Sequence, residues 1–275
     1  MVASERKFSF RTFEVPGARR TVASGIDDIG QIVGYYDDSA AATHGFVLSG
    51  GTFGTLDFPG AAFSQALGIG ARGEIVGTYR MPSESALNFH GFLRSPNGRF
   101  ARIDYPGHSN TIAQRILSDG TILGCRHDND FAGSMKGVVI GTQDHSETQA
   151  FASMHNGATP DLRRIAGLYN YASGDRSSAY VIDDGEFKPL VVPGSIGTSA
   201  WDVNPAGEIV GSFRDSTGVH GFILAAEGFS SINVPNAVPT HAFGINASGT
   251  VVGSFVAGGR TAGFVATPTG GLRAR

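Results

Sequence analysis

The chain is built from a repeated unit, and this repeat limits the folds open to it more than any other feature. The element Phe-x-x-apolar-x-apolar-Pro-Gly ends at Gly17, Gly60, Gly107 and Gly194, and a variant of it ends at Asn236. After each element come an apolar residue, a turn glycine and then Ile-Val-Gly or a close relative, which ends at Gly34, Gly77, Gly124, Gly211 and Gly253. The spacing of about 43 residues is typical of repeat architectures in which each repeat is one supersecondary unit.

A third signature, His-Gly-Phe, begins at His44, His90 and His220. One unit lacks Pro-Gly, and its alignment rests on the spacing between Gln149 and Gly167, the glycine of Ile165-Ala166-Gly167. With this unit the chain is one domain, residues 1–275, of six repeats at about 8–52, 53–99, 100–142, 143–186, 187–228 and 229–271.

Each unit is predicted to form four short strands, which we call a, b, c and d, because apolar residues alternate between turn glycines. A unit of this length with four strands indicates a propeller blade, so the sequence predicts an all-β, six-bladed β-propeller. The chain starts with a strand d (Phe8 to Val15) and ends with strands a to c (Thr240 to Thr267). The N-terminal strand is therefore expected to complete the last blade and close the ring, which protects sheet edges. A β-solenoid is the alternative, but it would leave one strand d unpaired.

These motifs resemble the bacterial HAF-type repeat family, which carries His-Gly-Phe, Gly-Ile-Asn/Asp-x-x-Gly and Ile-Val-Gly. The resemblance covers nearly the whole chain, and the third and fourth repeats depart from it. It implies a propeller-like, often secreted repeat protein. It implies no defined chemistry, so no catalytic residue is transferred from it.

Composition excludes several classes of partner. With 21 basic and 24 acidic residues the net charge is −3, which gives no basic excess for binding a nucleic acid. The single cysteine, Cys125, excludes an internal disulfide and a multi-cysteine metal site. No apolar stretch is long enough to span a membrane. Without an apolar signal region near Met1, we expect a soluble, cytoplasmic protein, or a secreted one if a signal peptide has been removed. The oligomeric state is left open.

Loop lengths indicate which face would hold a site. The a–b turn and the d–a connection keep nearly fixed lengths, whereas the b–c connection varies from 9 to 13 residues. In an antiparallel blade the b–c and d–a connections lie on the same face, and function concentrates in loops held by a rigid scaffold. The site is therefore expected on the Pro-Gly face, at the mouth of the central channel, where strand a begins.

The candidate site residues come from positions at which the repeats carry different residue types. Just before the apolar residue of strand a, three repeats have glycine (Gly25, Gly68, Gly244), whereas the third has Arg115 and the fifth has Asp202. These charges are interpreted either as polar groups facing the channel or as a buried ion pair between blades. Trp201, next to Asp202, would line the pocket or pack between blades.

Two further rings of positions surround the predicted channel. Four residues before the apolar residue of strand a, the ring contains Val22, Gln65, Ile112, His155, Ser199 and His241. At the end of strand b, the ring contains Asp37, Arg80, His127, Asn170, Arg214 and Val256. The aromatic residue that precedes this second ring, such as Tyr169, is interpreted mainly as blade packing. The His-Gly-Phe histidines are interpreted as hydrogen-bonding groups between strands, because a residue that repeats with the architecture usually serves it.

The leading hypothesis is one small-molecule pocket at the channel mouth, with acid–base hydrolase, lyase or isomerase chemistry as one use of it. Asp202 and His241 are the candidate acid and base, and Arg115 and Arg80 the electrostatic anchors. The remaining candidates for ligand binding are Gln65, His127, His155, Tyr169, Ser199, Trp201 and Arg214. The alternative is a non-catalytic propeller that binds glycans or protein partners through repeated surface sites. No cofactor is predicted, although the segment from Cys125 to Asp130 or a pair of histidines would suit a metal.

Overall fold

The computed structural model describes residues 6–128, 134–141, 145–147, 152–169 and 177–269. Every regular element in these ranges is a β-strand, and none of their residues forms a helix long and apolar enough to cross a membrane. Four sheets contain four antiparallel strands each, in chain order. Their strands are β6 (Phe63–Ile69), β7 (Ile75–Arg80), β8 (His90–Arg94), β9 (Phe100–Ile103); β10 (Asn110–Ile116), β11 (Ile122–His127), β12 (Lys136–Ile140), β13 (His145–Glu147); β14 (Ser153–Ala158), β15 (Arg164–Tyr169), β16 (Ser178–Asp183), β17 (Glu186–Leu190); β18 (Gly197–Val203), β19 (Ile209–Arg214), β20 (Val219–Ala225) and β21 (Gly228–Ile232).

The two ends of the chain share a fifth sheet of eight strands. Its path is β22 (Thr240–Ile245), β23 (Val251–Ala257), β24 (Arg260–Pro268), β2 (Arg20–Ile26), β3 (Ile32–Asp37), β4 (Thr43–Ser49) and β5 (Thr52–Thr55), with β1 (Phe8–Phe13) paired to β24. Strand β1 runs antiparallel to β24, from Phe8 opposite Pro268 to Phe13 opposite Gly263. The first strand is thus hydrogen-bonded to the last, as the phase of the repeats predicts.

The predicted all-β architecture with four-stranded units is confirmed. The prediction of six separate blades is corrected, because the described residues form four separate four-stranded blades and one eight-stranded sheet. The physical reason is a parallel bridge between Arg20 of β2 and Thr261 of β24, which joins two sets of four strands into one hydrogen-bonded sheet.

The first strands of the repeats lie around a common axis. Strands β2, β6, β10, β14, β18 and β22 contact one another in that order, and β22 contacts β2. Each of these inner strands has a β-bulge against its neighbour, which leaves one residue outside the ladder. The bulged residues are Ser24, Leu67, Gln114, Asn156, Trp201 and Phe243.

The Ile-Val-Gly and His-Gly-Phe motifs meet inside each sheet. A Cβ atom on Gly77 would lie 1.9 Å from the Gln65 carbonyl oxygen and 2.8 Å from the ring of Phe92. Phe92 is the phenylalanine of a His-Gly-Phe motif and is fully buried. The motif glycine is therefore required because the neighbouring strand and the aromatic ring occupy the space of a side chain.

The Pro-Gly turn explains the variant with asparagine. Gly60 has φ +78°, and Asn236 takes the equivalent position with φ +61°. Both lie in the left-handed region, which glycine enters freely and which asparagine tolerates better than most other residues.

The His-Gly-Phe histidines hydrogen-bond between strands, as predicted. His44 Nδ1 lies 2.7 Å from Asp57 Oδ2, and His90 Nδ1 lies 3.0 Å from Asp104 Oδ1. In both units the partner comes one or two residues after the strand that pairs with the histidine's own strand. Burial disfavours the charged form of His44, but the hydrogen bonds and charges of Asp57 and Asp38 raise its pKa overall.

Candidate functional site

A cavity of about 350 Å³ lies at the end of the channel where the inner strands begin. We call it the channel cavity. Its walls include five aromatic side chains: Tyr35, Phe63, Phe89, Trp201 and Phe243. Four polar side chains also line it: Ser24, Gln65, Thr78 and Gln114. An apolar, concave wall with a few polar groups is typical of small-molecule sites, and the volume falls within their range.

Arg115 lies at the base of this cavity and is buried. Its guanidinium donates to backbone carbonyl oxygens of bulged residues on five inner strands. The distances are 2.6 Å to Leu67, 2.8 Å to Gln114, 3.0 Å to Ser24, 2.5 Å to Phe243 and 3.4 Å to Trp201. The bulges leave these carbonyl oxygens outside the hydrogen-bonded ladder of the sheets. One arginine therefore supplies the N–H donors that these oxygens would otherwise lack.

Asp202 completes this arrangement as a buried ion pair. Its Oδ1 lies 3.1 Å from Arg115 Nε and accepts the Val203 N–H at 2.9 Å, and its Oδ2 accepts the Ile245 N–H at 3.1 Å. Burial raises the pKa of Asp202, although the charge of Arg115 and the backbone donors oppose the increase. The sequence left two interpretations of Arg115 and Asp202 open, polar groups that face the channel or a buried ion pair between blades. The structure shows the ion pair.

The glycines at the equivalent positions show how little space is available there. A Cβ atom on Gly157 would lie 2.8 Å from Asp202 Oδ1, and one on Gly68 would lie 3.0 Å from the Cα of Arg115. Arg115 and Asp202 both border a second cavity, of about 140 Å³, on the side of the a–b turns. The layer that contains the ion pair thus lies between the two cavities.

Two of the predicted site residues line the channel cavity directly, Gln65 and Trp201. The ring of Trp201 meets Phe243 edge to face at 5.3 Å, and its Nε1 donates to Ser212 Oγ at 3.4 Å. His241 stacks on Phe243 at 5.6 Å, and its Nδ1 lies 3.3 Å from the same Ser212 oxygen. Ser199 is buried opposite Ser212.

Arg80 does not line the cavity, but it packs on two side chains of the cavity wall. Its guanidinium carbon is 5.3 Å from the ring centre of Phe63 and 5.7 Å from that of Phe89, both of which line the cavity. One of its nitrogens donates to the Ala86 carbonyl at 3.0 Å. Gln65, Trp201, His241 and Arg80 are therefore at or beside the cavity.

The predicted place of His155 is wrong by one residue. Strand pairing aligns His155 with Gly167 just as it aligns Ala23 with Gly34, so Met154 takes the position predicted for His155 and lines the cavity. The a–b turn of this repeat is one residue longer, from Ala158 to Ile165, which the spacing argument did not include.

His155 instead lies between two blades, where its ring packs against Gly137 of β12. Its Nδ1 lies 2.5 Å from the hydroxyl of Tyr180, which donates to the Met154 carbonyl at 3.0 Å. Burial lowers the pKa of His155 to about 4. The side chain is thus a neutral, buried group between two blades.

The other candidate residues whose structure is described do not line the channel cavity. His127 is fully buried, with Nδ1 3.0 Å from the Asp128 carbonyl oxygen. Tyr169 packs on Tyr180 and Phe187, in agreement with its interpretation as blade packing. Arg214 is half-buried opposite Gly197.

Some predictions concern residues outside the described ranges, namely Gln149, Asn170, Asn129 and Asp130. Within the candidate metal segment, Cys125 is buried, and burial raises the pKa of its thiol to about 12. No group of three or more metal-ligating side chains occurs among the residues whose structure is described.

Sequence reasoning missed most of the aromatic wall. Five of the six bulged residues line the cavity, namely Ser24, Leu67, Gln114, Trp201 and Phe243. Their place two residues before the apolar residue of strand a was visible in the repeat, but the bulge that turns them toward the channel was not.

No protein-family model matches the sequence, and no curated protein matches it. The resemblance to HAF-type repeats therefore stays a prediction. Solved structures do match. They include AofleA from Arthrobotrys oligospora (12% identity, 96% of this chain and 87% of that chain, TM-score 0.59). A gluconolactonase from Xanthomonas campestris matches at 12% identity over 96% and 92% of the two chains (TM-score 0.58).

A variant of the Aleuria aurantia lectin in complex with Fucalpha1-6GlcNAc matches at 11% identity over 96% and 100% of the two chains (TM-score 0.53). Identities this low bear on the fold alone. Together with the strand order, these structural matches show that the chain is an all-β β-propeller of four-stranded blades.

Proposed function

We propose that the protein binds one small organic molecule with a flat, apolar body in the channel cavity. The observation that carries this proposal is the cavity itself: about 350 Å³, walled by five aromatic side chains and closed below by Arg115. Aromatic walls favour a flat ligand because rings stack on it, and Gln65 and Gln114 offer polar contacts that orient it.

The proposal includes a ring of six blades. The eight-stranded sheet is interpreted as two four-stranded blades that share the Arg20–Thr261 bridge, with β1 as the outer strand of the last blade. The order of contacts among the six inner strands supports this interpretation. A ring with one asymmetric cavity suits a single site. We also propose that the chain is a HAF-type repeat protein, on its repeated motifs.

Acid–base catalysis by Asp202 is not part of the proposal. Both of its carboxylate oxygens accept hydrogen bonds from backbone N–H groups, and one oxygen also pairs with Arg115. A carboxylate held in this way is poorly placed to exchange a proton with a ligand in the other cavity. We therefore assign Arg115 and Asp202 a structural role and assign the binding role to the aromatic wall.

Trp201 makes the proposal testable, because it is the single tryptophan of the chain and lines the cavity. The test is a panel of aromatic carboxylic acids, each paired with its primary amide, monitored by Trp201 fluorescence and ligand-detected NMR. We expect saturable binding of at least one pair at one site per chain. The proposal is overturned if no compound binds at about 1 mM, a dissociation constant that corresponds to a binding free energy of about −4 kcal/mol.

A matched pair of variants locates the binding. Leu67 lines the cavity, whereas Leu87 is 50% exposed and does not line it. Leu67→Phe adds volume inside the cavity and should abolish binding, while Leu87→Phe makes the same chemical change elsewhere and should leave it intact. Equal binding by both variants, or several equivalent sites per chain, would favour repeated surface sites instead.

A further inference from the structure

We propose that the ligand of the channel cavity carries a carboxylate, and that this carboxylate extends beyond the cavity lining to Arg80, which packs on two rings of the wall. This inference rests on the proposed function and deepens it, because it names the charge and chemical class of the ligand.

Arg80 is held in place by two aromatic rings. Its guanidinium lies over Phe63 and Phe89, at 5.3 and 5.7 Å, and these rings meet edge to face at 5.5 Å. Contact with aromatic faces orders the side chain without neutralising its charge. The guanidinium is therefore positioned before a ligand arrives, which lowers the entropy cost of binding.

The guanidinium of Arg80 has hydrogen-bonding capacity to spare. Arginine has five N–H donors, and the hydrogen bond to Ala86 uses one of them. No carboxylate of the described residues lies within ion-pair distance of Arg80. Glu84, an acidic residue of the same connection, is engaged elsewhere: Oε2 accepts the Met81 N–H at 2.8 Å and Oε1 lies 2.8 Å from His90 Nε2. A planar carboxylate would fit the remaining donors in a bidentate pair.

Other charges near the cavity are already paired. Arg20 lies 5.3 Å from the ring centre of Tyr35, another wall residue, but its Nε is 2.8 Å from Asp37. Arg115 is paired with Asp202. None of the described residues that line the cavity is charged. Because the lining is uncharged and the guanidinium of Arg80 beside it has no ion pair with a described residue, a ligand that extends to Arg80 is favoured as an anion over a cation.

The experiment compares each carboxylic acid of the panel with its primary amide, which has nearly the same shape and no charge. In the unchanged protein, acids should bind at least tenfold more tightly than their amides. Arg80→Met should remove this difference by weakening the acids about tenfold, with the amides unchanged, because it deletes a charged hydrogen bond. Arg99→Met, an exposed arginine in the turn between β8 and β9, is the matched control and should change neither.

Each outcome has a distinct meaning. Equal affinity for acids and amides in the unchanged protein overturns the carboxylate inference but leaves the proposed cavity site standing. If Arg80→Met weakens the binding of acids and amides equally, Arg80 has a structural role and the carboxylate inference is overturned as well. Binding of neither class overturns the proposed function itself. If Arg80→Met does not fold, added salt replaces it: acid binding should weaken with ionic strength, while amide binding should not.

Discussion

Arg115 and Asp202 form a buried ion pair between inner strands of two blades that are not neighbours, with Nε 3.1 Å from Oδ1. The same guanidinium donates hydrogen bonds to carbonyl oxygens of five inner strands, so a single side chain links these strands to one another. In the four other repeats the equivalent residue is glycine, which shows that the backbone position itself needs no charge. The pair therefore stabilises the centre of the propeller as a unit.

Replacing the arginine should expose this dependence. Arg115→Met leaves the Asp202 carboxylate buried without its counter-charge and should lower the free energy of unfolding by about 3–5 kcal/mol. Urea unfolding followed by circular dichroism measures the loss. Arg163→Met is the control: Arg163 pairs with Asp184, both are largely exposed, and the variant should unfold like the unchanged protein. Similar stability of the two variants would contradict the structural role of Arg115.

The close approach at the Ile-Val-Gly glycine gives a second prediction. Gly77→Ala places a methyl group 1.9 Å from the Gln65 carbonyl oxygen, so the two strands must separate. We expect a loss of about 3 kcal/mol in unfolding free energy, at the upper end of the usual cost of overpacking. Gly54→Ala is the matched control, because its nearest atom lies at 3.4 Å, an ordinary contact. The idea fails if thermal denaturation shows equal midpoints for the two variants.

The buried histidine should make stability depend on pH. The pKa of His155 falls from 6.5 to about 4 on folding, so the unfolded chain binds more protons between these values. Stability should therefore fall as pH drops from about 6.5 to 4, by about 3 kcal/mol from this residue. Urea unfolding at several pH values measures the slope, and His155→Gln should flatten it. An unchanged slope in this variant would count against a neutral, buried His155.

His44 gives the matching control, with the opposite sign. Its pKa is raised on folding, so it contributes stability below pH 6.5, which is lost as pH rises through the folded-state pKa. His44→Gln should therefore make the loss of stability in acid steeper, whereas His155→Gln makes it shallower. The same effect from both variants would contradict the assignment.

The thiol of Cys125 should report global unfolding. It is fully buried, and burial raises its pKa to about 12, so almost no thiolate forms at pH 8. We expect no reaction with Ellman's reagent in the native protein and one thiol per chain in denaturant. A native reaction as fast as the denatured one would show that this strand opens readily.

Much of this fold follows from the sequence alone. The four-stranded unit, the all-β class and the pairing of the first strand with the last follow from turn residues and apolar alternation, which are local properties repeated along the chain. The hydrogen-bonding role of His44 and His90 followed from the same reasoning. Unequal residues at equivalent positions also drew attention to Arg115, Asp202 and Trp201, which the structure places at the channel.

Only the tertiary structure decided what these residues do. The pairing of Arg115 with Asp202 joins two residues 87 positions apart in the sequence, a separation at which no local pattern carries information. The wrong place for His155 came from a turn that is one residue longer and follows it, so that the preceding strand residues are shifted by one position and His155 lies on the opposite face of its strand. The bulges that aim Trp201 and Phe243 into the cavity arise from strand pairing, so the aromatic wall was hidden until the blades were assembled around one axis.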